Sequence, residues 1–390
     1  MKSKSNTKNA LIKSIMLGSF AFGLMSFVLP IYSKKIGGNA LSIGGLFSIF
    51  SAVTLILRPI IGKGIDKYGR KVFFVSAFLF YAVSMLLFSY STNIKLLYIS
   101  RIIQAIGSSF MWISAYSIAI DISSDEKRGN GIGQVDEASS KGSLYGAILG
   151  FIILGNITII TGWSILFKGY AALSVVGGYI AYKYIPETGK VDIEKKVEYN
   201  KVLNMNLLKL LIVIFISSIS VSMISPILMI YLQDKFTTDV RTLASAFVPA
   251  ALVYAFLPAK LGSISDKSGR IVPMTIGMVI SGIVSIGFSY SLSIEMLVIL
   301  WVLESVGIVL ASPAEEALVS ELVDEKVRGS AYGVYLFVSS LGAVIGPLLG
   351  GWVYDTFGHQ VPFYLNGFAL LIDAFLVIIL FRNYKNQEDC

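Results

Sequence analysis

Glu304 and Glu315 stand eleven residues apart in a run that is otherwise almost wholly apolar. Eleven residues are three helical turns, about 16 Å along the axis, so both carboxylates lie on one stripe of a helix. Gly307, Ile308 and Ala311 fill that stripe between them. An ionised side chain at the centre of a bilayer costs about 2.5–3.5 kcal/mol on insertion scales, so it must face protein or water. Two carboxylates on one such stripe suit proton relay. The plainer alternative for Glu315, and for its neighbour Glu316, is a helix end wetted by solvent. Asp136, Glu137 and Lys141 form a second group. Glu137 and Lys141 are spaced i, i+4 with the acid first, the favourable order for a helix pair. Either they neutralise each other, or Lys141 is a gate that reaches Glu315 or Glu316 in the other half. Arg101 and Asp373 are further charges within apolar runs; Asp373 is expected to bond to the tenth or eleventh span. His359 is the single histidine, in a loop, and Cys390 the single cysteine. A histidine relay inside the membrane, an internal disulfide and a thiolate metal site are therefore excluded. The sequence shows no nucleophile–base pair, phosphate loop or metal-ligand cluster, so it does not read as an enzyme, and no cofactor or metal is expected.

The elements that must position these charges are membrane helices. The 390 residues are 55% hydrophobic and 14% charged, against about 25% charged in globular chains. Apolar runs recur at the roughly 20-residue length that crosses a bilayer. Twelve spans are expected, near 11–33, 41–62, 71–91, 95–121, 131–158, 163–185, 207–232, 242–261, 271–291, 296–320, 330–354 and 361–382. The fold class is an all-α polytopic membrane protein, with a six-helix bundle over 1–185, a cytoplasmic linker over 186–206 and a second six-helix bundle over 207–390. The first run is too long for a signal peptide, and no small-residue cleavage site precedes Pro30. Lys and Arg concentrate in the segments on the side of the termini, while the opposite loops hold only Lys34, Lys35, Lys95, Lys235 and Arg241. By the positive-inside rule both termini are cytoplasmic. The net charge of +8 follows the loops rather than a folded face, so it does not point to nucleic acid.

The chain repeats itself. Residues 62–70 and 262–270 both fit G-x-x-x-D-K-x-G-R. Phe88-Ser89-Tyr90-Ser91 returns as Phe288-Ser289-Tyr290-Ser291, and Arg128-Gly129 as Arg328-Gly329. Gly142, Gly146 and Gly150 return as Gly342, Gly346 and Gly350. Parallel repeats of this kind mark many secondary transporters. The paired loops resemble those of the major facilitator superfamily, and the resemblance covers essentially the whole chain. A second pattern of that family, R-x-x-Q-G-x-G, appears as Arg101-Ile-Ile-Gln104-Ala105-Ile-Gly107, with Ala105 for the usual glycine. A third, G-x-x-x-G-P-x-x-G-G, is associated with antiporters and normally lies in the fifth span. Here it is complete only in the eleventh, at Gly342, Gly346, Pro347, Gly350 and Gly351, while the fifth has Ala147 in place of the proline. That departure weakens the antiporter reading. The i, i+4, i+8 glycines make flat strips for close packing, and are expected where the two halves rock.

The resemblance implies that spans 1, 4, 7 and 10 line a central cavity. It also implies two charge latches that close the cytoplasmic side, Asp66/Arg70/Asp121 and Asp266/Arg270/Glu321; the bland reading is that the basic residues of these loops only set topology. It assigns Arg101 a part in coupling protons to substrate, with a purely structural bond to backbone as the alternative. Proton-coupling candidates are Glu304, Glu315, Arg101, Asp136 and Glu137. Cavity-wall candidates are Trp112, Tyr116, Phe20, Phe27, Ser217, Ser220 and Tyr231. An apolar cavity with a few carboxylates fits lipophilic or cationic solutes better than polyols. The leading expectation is a proton-coupled exporter of small, partly apolar compounds, resembling the drug-efflux branch, monomeric in the cell membrane and driven by protons or another coupling ion. A proton symporter importing a sugar, organic acid or other nutrient is the second. A transporter-like membrane sensor is the third, and the intact loops in both halves count against it.

Overall fold

The computed structural model describes residues 2–123, 128–188, 204–324 and 327–382. The described chain is helical, with no strands. The first half contains α1 (Lys2–Gly18), α2 (Phe22–Lys35), α3 (Ala40–Tyr68), α4 (Arg70–Ser89), α5 (Ile94–Ile122), α6 (Arg128–Asn156) and α7 (Ile159–Tyr184). The second contains α8 (Met205–Lys235), α9 (Val240–Phe256), α10 (Pro258–Ser268), α11 (Ile271–Ser289), α12 (Ile294–Glu321), α13 (Arg328–Phe357) and α14 (Val361–Leu380). Side chains start several of them: Asn93, Asn204 and Ser293 accept the backbone N–H three residues on, which satisfies a donor the helix leaves free. Eleven spans are long and apolar enough to cross a membrane, and Val240–Phe256 is a shorter twelfth. That eighth span was expected to run unbroken over 242–261. It breaks at Leu257, because Pro258 has no N–H for the next rung, and continues as α10. The second span was expected to end near 62 but runs to Tyr68, which brings Asp66 into its last turn.

The chain packs as two units, Met1–Gly38 with Ile49–Lys195, and Asn39–Ser48 with Lys196–Cys390. In the first, α4 packs against α5 and α7, and α6 against α1, α2 and α5. One end of this bundle is tied by aromatics. Tyr32 stacks on Trp163 with ring centroids 3.9 Å apart. The Tyr32 hydroxyl donates to the Ser91 carbonyl at 2.6 Å, and the Trp163 indole N–H to that of Phe88. The second unit repeats the tie: the Tyr231 hydroxyl donates to the Phe288 carbonyl at 3.2 Å. The duplicated F-S-Y-S segment is thus a helix end whose carbonyls anchor a tyrosine.

Gly142, Gly146, Gly342 and Gly346 of the strips make their close contacts within the units. A Cβ on Gly142 would come to 2.1 Å from the Met16 carbonyl oxygen, and one on Gly146 to 1.8 Å from that of Phe20, so α6 lies directly on the first span. In the second unit a Cβ on Gly342 would come to 2.5 Å from the Ser218 Cβ, and one on Gly346 to 2.4 Å from the Ile219 carbonyl oxygen, so α13 lies on α8. Gly146→Ala should therefore destabilise by about 1–3 kcal/mol, the usual cost of overpacking. Gly62→Ala, with no atom within 4 Å of the added carbon, should be neutral or stabilise by up to about 1 kcal/mol. Thermal unfolding of both variants in detergent checks the pair; equal midpoints would remove the strip as a packing constraint.

Candidate functional site

In the first unit, the charged loop between α3 and α4 is built around Gly69. Its φ of +92° turns the chain and leaves room where a Cβ would strike the Glu187 carboxylate. Arg70 then opens α4, buried at 4% exposure, with Nε 2.6 Å from Asp121 at the end of α5. The Glu187 carboxylate accepts the backbone N–H groups of Arg70 and Lys71 at 2.7 and 3.1 Å. It satisfies free donors at a helix start, where negative charge is favoured. The Thr188 hydroxyl donates to Asp121 at 2.8 Å. Sequence reasoning missed Glu187 and Thr188, which it placed in a plain linker. Asp66 lies in the last turn of α3, half-buried, and the ion pair of this cluster among the described residues joins Arg70 to Asp121. In the second unit Arg270 Nε sits 2.7 Å from Glu321, and its terminal nitrogen donates to Ser265 at 2.8 Å. The side chain of Asp266 lies outside the described residues.

Deeper in the first unit, Arg101 is 5% exposed. It donates to Gln104 at 2.7 Å and its guanidinium lies over the Phe50 ring, 4.4 Å from the centroid. A planar fork serves both contacts, which an ammonium would not. Trp112 stacks on Tyr116, whose hydroxyl donates to Asp136 at 2.6 Å. Glu137 and Lys141 pair with each other while more than half exposed, the self-neutralising arrangement. Phe20 packs on Tyr145, and Phe27, fully buried, on Phe151.

The second unit holds a partly open cavity of about 280 Å³, its walls including Ser217, Ser222, Ser281, Ser312, Glu315 and Tyr335. On α12 the lining residues are Ile308, Ala311, Ser312 and Glu315, one helical face at the i, i+3, i+4, i+7 spacing. Glu304 lies one turn before Ile308 on that face. It is 5% exposed, with Tyr254 facing it and the Ser281 hydroxyl donating to its carbonyl at 3.3 Å. Tyr335 faces Glu315, and Tyr332 faces the exposed Glu316. Ser220 is buried in α8, and Tyr231 is held by Phe288 and by the Phe363 ring. Asp373 differs from expectation. It is fully buried, and neither of its carboxylate oxygens has a hydrogen-bond partner. Asp355 is a further residue that sequence reasoning missed: its two oxygens accept the N–H groups of Ala40 and Leu41 at 3.1 and 2.8 Å, capping α3.

The strap on α4 has a measurable consequence. Glu187→Ala leaves two backbone donors without their acceptor and should lower stability by about 1 kcal/mol, the typical loss for a helix cap. A thermal midpoint equal to that of the parent chain would show that Glu187 does not hold the cluster.

The profile of the Major Facilitator Superfamily matches residues 12–205 and 210–389. Multidrug resistance protein 1 of Bacillus subtilis (strain 168) is 23% identical over 380 residues, which cover 97% of each chain. Tetracycline resistance protein, class H, of Pasteurella multocida is 24% identical, across 96% of this chain and 94% of its own. Among solved structures, a bacterial homologue of the human lysosomal transporter Spinster, in an inward-facing and occupied conformation, is similar with a TM-score of 0.83. Its sequence identity is 17%, and the match covers 98% of both chains. With the superfamily profile running along nearly its whole length and its twelve spans in place, the chain belongs to the Major Facilitator Superfamily.

Proposed function

We propose that this chain expels small, partly apolar compounds in exchange for protons, by alternating access. Superfamily membership makes it a secondary transporter of small molecules; efflux and proton coupling are the finer reading. The observation that carries it is the face of α12, where buried Glu304 stands one turn from an otherwise apolar and hydroxyl-lined cavity with Glu315 on its wall. Such a wall offers a counter-charge to a lipophilic cation. Proton binding at a carboxylate shifts a two-state equilibrium only by its differential affinity for the two states. Glu304 is the carrier in this reading and Glu315 the relay, with Arg101 orienting the proton-carrying groups of the first unit and Asp136 and Glu137 as further candidates. The Arg70–Asp121 and Arg270–Glu321 pairs are the latches. That two relatives are named for multidrug and tetracycline resistance supports the outward direction. The basic loops support a plasma-membrane protein with both termini inside.

The reading is tested in proteoliposomes with an imposed pH gradient and a panel of hydrophobic amines. Glu304→Gln should keep substrate exchange while losing the response to the gradient, and Glu315→Gln should slow the cycle less. Full gradient-driven flux by Glu304→Gln would place the proton elsewhere. Arg101→Lys keeps the charge but loses the Gln104 bond and the Phe50 stack. Coupled flux should fall about tenfold, corresponding to about 1.4 kcal/mol; a normal rate would leave Arg101 a packing role. Accumulation with protons, rather than extrusion against them, would turn the reading into symport, for which Ala147 in the fifth span is the sequence argument.

A further inference from the structure

Asp373 is a fully buried carboxylate of the second unit that neither the latch nor the α12 face uses. It projects from the buried stripe of α14 that also carries Phe363, Asn366, Leu370 and Val377. Around it lies an apolar core that includes Met274, Met278, Ala314, Leu318 and Ala374. Both of its oxygens are buried without a hydrogen-bond partner. An unpaired ion in such surroundings is costly, and buried charges are found paired or coordinating a cation. The helix register supplies a second donor. Gly282 of α11 lies against Gly367, Ser285 bonds Asn366, and Ser289 bonds Gln360 of α14. Continued by two turns, that antiparallel register brings Thr275 to the level of Asp373. The Thr275 hydroxyl is also buried without a partner. The hydroxyl-lined cavity reaches this stripe at Leu370, one turn from Asp373.

The charges around Asp373 are one-sided. Glu315, on the cavity wall, is near enough to act on it electrostatically. Glu316 stands beside Glu315, and Tyr332 and Tyr335 face that pair from α13. Helix α11 carries no ionisable side chain, and those of α8 lie near its ends, at Lys209, Tyr231, Asp234 and Lys235. Among the described residues, α11, α12 and α14 carry no lysine or arginine, while the Thr275 hydroxyl lies at the level of Asp373. Such oxygen donors suit a small hard cation.

We infer that Asp373, with Glu315 and the Thr275 hydroxyl, holds a small monovalent cation inside the second unit, either a proton or a sodium ion. That this cation drives transport rests on the coupled-efflux reading above; its binding does not. The site is tested on the full chain in nanodiscs without any transported substrate. In one arm, thermal unfolding is followed against sodium chloride, with choline chloride holding ionic strength. In the other, the infrared carbonyl band of protonated carboxyl groups is followed against pH in the absence of sodium. The parent chain should respond in one arm and so identify the ion. Asp373→Asn should lose that response and Glu315→Gln should weaken it. Thr275→Val, which keeps both carboxyls and serves if Asp373→Asn does not fold, should need several-fold more of the ion for half-saturation. A parent chain silent in both arms, or an Asp373→Asn or Thr275→Val variant with an unaltered response, would overturn the site. Failure here leaves efflux standing, and a filled sodium site would survive loss of the proton-coupled reading.

Discussion

Lipid tails are as apolar as leucine, so no hydrophobic force pulls two membrane helices together. What holds each unit is close approach of backbones, and that approach is possible only where a side chain is missing. Gly142, Gly146, Gly342 and Gly346 supply it: each sits so near a carbonyl or a Cβ of the first or seventh span that any added carbon would overlap it. These strips set α6 on the first span and α13 on α8. The positions of Glu137, Tyr145 and Tyr335 follow, because they are carried by the same helices.

On that scaffold, charge is placed by its partners. Arg70 is tied to Asp121, Arg270 to Glu321 and Ser265, and Arg101 to Gln104 and the Phe50 face. These groups are satisfied within their own unit, so they can be both buried and stable. Glu304 and Asp373 stand apart as deeply buried carboxylates of the second unit. The paired groups are held in place by their partners, whereas the Asp373 carboxylate has none.

Much of this was legible because the chain states it twice. The repeated loop motif located Arg70 and Arg270, and the same offset pointed to Asp121 and Glu321. Apolar runs of the right length marked the spans, and the spacing of Glu304 and Glu315 placed them on one face of α12. What was not legible depends on contacts distant in the chain. Glu187 acts on N–H groups 117 and 116 positions away, and Asp355 on groups 315 and 314 away. Such backbone recognition leaves no residue pattern at the receiving end. The glycine spacing announced close packing but not the partner, since a flat strip fits any helix. The break at Leu257 had a visible cause in Pro258, but proline within a membrane helix is often accommodated, as at Pro313 and Pro347.

The opening of α3 does not pack with the half of the chain in which it is encoded. Asn39–Ser48 belongs to the second unit, where Asp355 receives its first N–H groups and Gly351 accommodates the Ala40 carbonyl. A polypeptide divided at the linker would therefore separate the repeats without separating the packed bodies. The later fragment would lack a piece of its own surface, and the earlier one would carry a turn shaped for another molecule. Two such fragments would have to recombine by lending that turn, as swapped dimers do.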